Sequence, residues 1–174
     1  MFGDANGKQV FPEARMNDTQ RRIVAAQGYV ELGLFSEARQ ELACLPPALE
    51  KRPEVMELAV LCLMGEKQWD EALATARSLC LAEPSKAGGY IHAAYCLHEL
   101  GHTRDALDLL AAGPHSLQSE AVYFYNMGCY HACLGDADAA VDLLEKAFEK
   151  NATLRQAAKR DRDLAQLRGR LGIA

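Results

Sequence analysis

A chain of 174 residues with a net charge of −5 fits one compact domain or one short solenoid and can bury a sizeable core. Its 49% hydrophobic and 25% charged content excludes a disordered chain, and the acidic sign argues against a general nucleic-acid binder. No apolar run approaches the ~18 residues of a membrane span, so no membrane partner is expected.

Residues 1–17 contain Gly3, Gly7 and Pro12 and show no sustained period. They read as a flexible leader, without the charged start and apolar stretch of a secretory signal. Asp18 is the expected N-cap of a first helix, Thr19 to Leu32, with Ile23, Ala26 and Val30 on one side and Gly33 ending it. Ser36 to Leu45 forms the second, stopped by Pro46-Pro47. Pro53 suits the first turn of the third, which runs to Met64 with Val55, Leu58, Ala59 and Cys62 inward. The fourth spans about Trp69 to Leu81, the fifth Ala87–Leu100 and the sixth Thr103–Ala112, closed by Gly113-Pro114. Ser119 to Leu134 and Ala137–Lys150 complete the series around Gly135. Thr153-Leu154-Arg155-Gln156 has capping-box spacing and starts another helix, and Asp161 or Asp163 caps a last short one ending near Gly169. No stretch alternates as a strand does, so the fold class is all-α.

Four alanines set a register. Ala38, Ala72, Ala106 and Ala140 stand 34 residues apart, and a period of ~34 is the mark of a helix-turn-helix array. A second column holds Ala26, Ala94 and Gly128, with Val60 the exception. Small residues belong where paired helices cross, because only they let two backbones approach closely. Each pair has one apolar face too many to bury alone, so it stacks on the next. The array covers residues 18–152, and 153–174 form a capping helix and basic tail. That tail is about +4 against −9 for the body. Its cations lie toward a helix C-terminus, where they suit the dipole, and its aspartates blunt any attraction to RNA or acidic lipid.

The six cysteines lack the spacing of a disulfide framework or metal knuckle. Cys62 and Cys96 share a column of neighbouring repeats, ~8–10 Å apart and too distant to bridge. They read as small buried hydrophobes in a reducing compartment, so cytoplasm is the expected location. Cys129 and Cys133, one helical turn apart with His98 nearby in the array, could present two thiolates to a metal. Two thiols without a second pair are a weak signal, and no metal or cofactor is expected. The five histidines fall in different columns, and no phosphate loop, His-Glu-x-x-His or nucleophile elbow is present. An enzyme is not expected.

The columns resemble the tetratricopeptide repeat family. Tyr29 follows Ala26, Gly33 makes the turn, and Phe35 precedes Ala38. Leu63, Lys67, Trp69 and Ala72, closed by Pro84, form a second copy. Tyr90, Ala94, Leu97, Gly101 and Ala106 form the third; Phe124, Gly128, His131, Gly135 and Ala140 form the fourth. The match covers about residues 19–152. It departs from the family pattern at Lys67, where glycine is usual, at His131, at Thr103 and Ala137, and in having the closing proline in place only at Pro84. The resemblance implies a right-handed α-solenoid of about four helix-turn-helix pairs with a C-terminal capping helix.

It also implies a concave groove, lined by the first helix of each pair, that binds a peptide or helix of a partner protein. Carried over column by column, the partner-binding residues are Ile23, Gln27, Glu57, Leu61, Ile91, Tyr95, His98, Tyr125 and Cys129. The far half of this groove is apolar and aromatic, while the near half carries Glu31, Glu54 and Glu57. The subgroup that grips acidic chaperone tails needs cations in columns that here hold Ile23, Gln27, Leu58, Gly88 and His92, so a terminal carboxylate would be desolvated unpaired. The expected ligand instead inserts an apolar side chain at Ile91–Tyr95–Tyr125 and places a basic residue near Glu57. The expected function is a non-catalytic interaction module or adaptor. Alternatives are a secretion-type chaperone for an apolar client and a self-assembling structural module, a homo-oligomer whose groove is filled by Val10-Phe11 of the leader or by a second copy.

Overall fold

In the computed structural model, which describes residues 16–173, the chain is all-helical. Helices α1 (Asp18–Glu31) and α2 (Phe35–Ala43) form the first pair, and α3 (Pro53–Gly65) and α4 (Trp69–Ala82) the second. The third pair is α5 (Ala87–Glu99) with α6 (Thr103–Ala111), and the fourth is α7 (Ala121–Cys133) with α8 (Ala137–Lys150). A short α9 (Leu154–Ala158) follows. Each helix packs on the next in sequence, and the first helices also pack on one another, α1 on α3, α3 on α5 and α5 on α7. The array and its order agree with the sequence expectation.

The small-residue columns sit where the helices meet. Ala26, Val60 and Ala94, and Ala38, Ala72, Ala106 and Ala140, are all fully buried. At Gly128 an added Cβ would fall 2.7 Å from Leu144 Cγ and 3.1 Å from the Ala140 carbonyl oxygen. No side chain fits there without moving α8.

The 34-residue register also appears in the backbone. Gly33, Lys67, Gly101 and Gly135 have φ of +73°, +59°, +87° and +86°. After each, an amide donates back across the helix end: Leu34 to Tyr29, Gln68 to Leu63 and His102 to Leu97 at 2.8 Å, and Asp136 to His131 at 2.9 Å. These are Schellman closures, which satisfy orphan carbonyls and turn the chain into the second helix. Lys67 performs the same turn with a side chain attached.

Three local expectations need correction. The Thr153–Gln156 capping box is not made; the Thr153 amide and hydroxyl instead donate to Asn151 Oδ1 at 3.0 and 2.7 Å. The first helix is capped by Asn17, not Asp18: Asn17 accepts from the Gln20 amide at 2.8 Å, and Gln20 Oε1 accepts from the Asn17 amide at 3.0 Å. A cap at Asp18 would have put Arg21 at the reciprocal position, and arginine has no acceptor. The proposed last helix near residues 163–169 is a run of turns instead, with Gly172 at φ +60°. Its apolar residues Leu164, Leu167, Leu171 and Ile173 are buried in the main core. Two aspartates whose carboxylates are drawn onto α5 and α7 lead the segment away from α9 and oppose a continuous helix. The expected leader, residues 1–17, lies outside the described residues except for Met16 and Asn17, and Val10-Phe11 with it.

Candidate functional site

The first helices α1, α3, α5 and α7 present the predicted columns, but the two ends of this face differ. At the N-terminal end, Ile23 packs partly buried beside Tyr29 and Val30. Gln27 is exposed, its Nε2 donating to Glu31 at 3.3 Å. Glu57 stands at the rim with Oε1 3.9 Å from His92 Nε2, and that imidazole holds its carboxyl below the usual range. Leu61 and Ile91 are half-buried. Between α1 and α3 opens a cleft of about 440 Å³, lined in part by Met16, Gln20, Ile23, Val24, Arg52 and Glu54.

At the other end the chain covers its own face. Tyr125 Oη donates to Asp161 Oδ2 at 2.7 Å, and Cys129 Sγ donates to the same oxygen at 3.7 Å. His98 Nε2 lies 3.0 Å from Asp163 Oδ2, and its Nδ1 lies 3.0 Å from Thr103 Oγ1. The Asp163 amide donates to Asp161 Oδ1 at 3.0 Å, and Arg168 Nη2 donates to the Asp161 carbonyl at 3.1 Å. Arg155 fixes the end of the segment by donating to the Leu171 carbonyl at 3.1 Å and to Glu145 at 3.0 Å. Three predicted groove residues, His98, Tyr125 and Cys129, are therefore engaged by an internal ligand. Tyr95, beside them, rests edge-to-face on Trp69 with ring centroids 5.9 Å apart. Trp69 thus serves as a packing residue where the second pair turns. An open apolar far half is not what the structure holds.

The electrostatics follow from that closure. Asp163 raises the pKa of His98, against a burial penalty, and His98 in turn lowers that of Asp163. Burial, and then Asp161, pushes the Tyr125 hydroxyl and the Cys129 thiol well above their ordinary ranges. Burial raises the Cys133 thiol to about 11, with Asp163 adding to it. Burial and Glu99 raise Tyr95 to about 12. No group here is poised as a nucleophile near neutral pH. A cleft of about 580 Å³ remains beside the closure, lined by Tyr95, His98, Glu99 and residues 160–163.

Asp161, Asp163, Thr103 and the separate roles of the two cysteines were not foreseen. The interleaved acids in a basic tail were a visible signal, read from the sequence as charge dilution and as a helix cap. Cys129 and Cys133 do not act as the i, i+4 pair considered from spacing. Cys129 turns to Asp161, and Cys133 turns to His98 and Asp163.

An array of four helix pairs, one end of its first-helix face open and the other closed by its own C-terminal segment, defines the class of protein. No family model matches the sequence, and no curated protein matches it. The fold is similar to a crystal structure of MamA, with a TM-score of 0.66 at 15% identity over 90% of this chain and 84% of that one. A second MamA crystal structure gives 0.64 at 15% identity, covering 85% of each chain. A third, described as MamA MSR-1 C2, gives 0.61 at 16% identity over 84% of this chain and 83% of that one. These likenesses establish the fold, and function has to be argued from the site.

Proposed function

We propose that this protein is a non-catalytic interaction module that binds a peptide or short helix of a partner protein on the open end of its first-helix face. The observation that carries the reading is the cleft between α1 and α3, where Met16, Ile23 and Val24 supply apolar surface beside Glu54. Val24 is 52% exposed, surface that contact with a partner would remove from water. Leu61 and Ile91 continue the apolar strip, and Glu57 lies at its edge. A ligand with one apolar anchor and a flanking Lys or Arg satisfies both features. His98, Tyr125 and Cys129 support binding only after the C-terminal segment has been displaced, so the expected site contracts to Ile23, Gln27, Glu57, Leu61 and Ile91, with Tyr95 at its limit.

A displayed random-peptide library selected on the full chain tests this. Enriched peptides should carry an apolar residue next to Lys or Arg, and Val24→Asp, at an exposed position of the cleft, should weaken their binding at least tenfold while helicity stays unchanged. Peptides that bind Val24→Asp and Glu57→Lys as tightly as the parent would remove the site from this face. Selection of nothing, with concentration-dependent association of the chain alone, would favour the self-assembling module.

A further inference from the structure

We infer that His98, Cys133 and Asp163 form a binding site for a zinc-class transition-metal cation, which would tie the C-terminal segment to α5 and α7. One ligand atom from each residue, an imidazole nitrogen, a thiol sulfur and a carboxylate oxygen, lies within 4.8 Å of the other two. In a tetrahedral zinc site, with bonds of about 2.0–2.3 Å, ligand atoms stand roughly 3.3–3.8 Å apart. Closing the difference takes side-chain adjustments of about 1 Å.

His98 and Asp163 already face one another. Thr103 Oγ1 holds His98 Nδ1 at 3.0 Å and leaves Nε2 directed at Asp163 Oδ2, also at 3.0 Å. In one tautomer Nδ1–H donates to Thr103 and the Nε2 lone pair faces the carboxylate; in the other Thr103 donates to Nδ1 and Nε2–H donates to Asp163. In either case a metal ion would take the place of the proton shared by Nε2 and the carboxylate. An oxygen partner on the second imidazole nitrogen is also the arrangement that orients metal-binding histidines. The mixed N, S and O donor set suits zinc or cobalt, and the sulfur disfavours calcium and magnesium, which take oxygen ligands.

Access exists on both sides. One cleft, of about 580 Å³, is lined by His98, Glu99 and Asp163, and another, of about 440 Å³, by Cys133 and Asp163, with Arg162 lining both. Either can admit the ion and leave a fourth position for water. The three ligands come from separate elements, 30 or more residues apart in sequence, so no local motif announces the site.

The test is a titration of the untagged full chain with cobalt(II) under reducing conditions, followed by zinc. A thiolate-to-cobalt charge-transfer absorption is expected, lost on adding zinc, together with a zinc-dependent rise in Tm. Cys133→Ser should abolish the band, and His98→Gln and Asp163→Asn should each weaken binding at least tenfold. Thr103→Val should weaken it about tenfold through ligand orientation. Cys44 is the other exposed thiol, and Cys44→Ser should change nothing. Circular dichroism confirms that each variant is folded. Absence of the band at millimolar cobalt in folded parent protein would overturn the site. So would a band that survives Cys133→Ser, disappears with Cys44→Ser, or resists zinc.

Discussion

A left-handed backbone costs a residue with a Cβ about 1–2 kcal/mol, and Lys67 bears that cost at φ +59°. The equivalent turns at Gly33, Gly101 and Gly135 avoid it. Lys67→Gly relieves the strain but gives back part of the gain, because glycine has more freedom to lose on folding. The native amide keeps its Schellman role in either case, so the strain term wins. We expect a net stabilisation of about 0.5–1 kcal/mol, seen as a higher urea midpoint with an unchanged m-value. A lower midpoint would show that Lys67 contributes something its backbone does not reveal.

Among the elements, the C-terminal segment departs furthest from a repeating array. It covers the fourth pair with Leu164, Leu167, Leu171 and Ile173, and it places Asp161 and Asp163 on Tyr125 and His98. Tyr125→Phe keeps the ring and removes the one hydroxyl donating to Asp161. Because the acceptor is charged, the loss should be about 1.5–2 kcal/mol. Amides of residues 161–173 should exchange faster while those of α1–α4 stay as they were. Uniformly unchanged exchange would mean that the leucines alone hold the segment. Tyr125→Ala is therefore a poor probe of partner binding, since it also loosens this closure; Val24→Asp, on exposed surface, is cleaner. The repeats were legible because every alanine and turn residue obeys one spacing, even where Lys67 replaces glycine. The closure was not legible, because His98–Asp163 and Tyr125–Asp161 span 65 and 36 residues and lie outside any repeating column. A capping role could be read from the tail's position, but not that Leu164, Leu167 and Leu171 do the covering.

At the scale of the molecule, the core divides unevenly. One large cluster runs from Val60 to Ile173, while Ala26, Ala38, Leu58 and Cys62 form a small separate one that joins the first pair to α3. In an array whose members contact only their neighbours, such a junction sets local stability. The first pair should therefore open before the rest. Cys62 makes that weakness depend on pH, because burial raises its thiol from an ordinary 9.0 to about 11. A neutral thiol becomes charged on losing its proton, and the unfolded chain loses it more readily than the folded one. The resulting stabilisation is complete below the unfolded pKa and disappears as pH climbs through the folded value. Between pH 9 and 11, hydrogen exchange in α1 and α2, corrected for intrinsic rates, should accelerate more in the parent than in Cys62→Ala. Cys62→Ala should remove most of that alkaline acceleration, at a pH-independent cost of about 1 kcal/mol for the lost sulfur contacts. If exchange in α1 and α2 accelerates equally in Cys62→Ala, the alkaline sensitivity belongs to another group, and the junction is held by its alanines and Leu58.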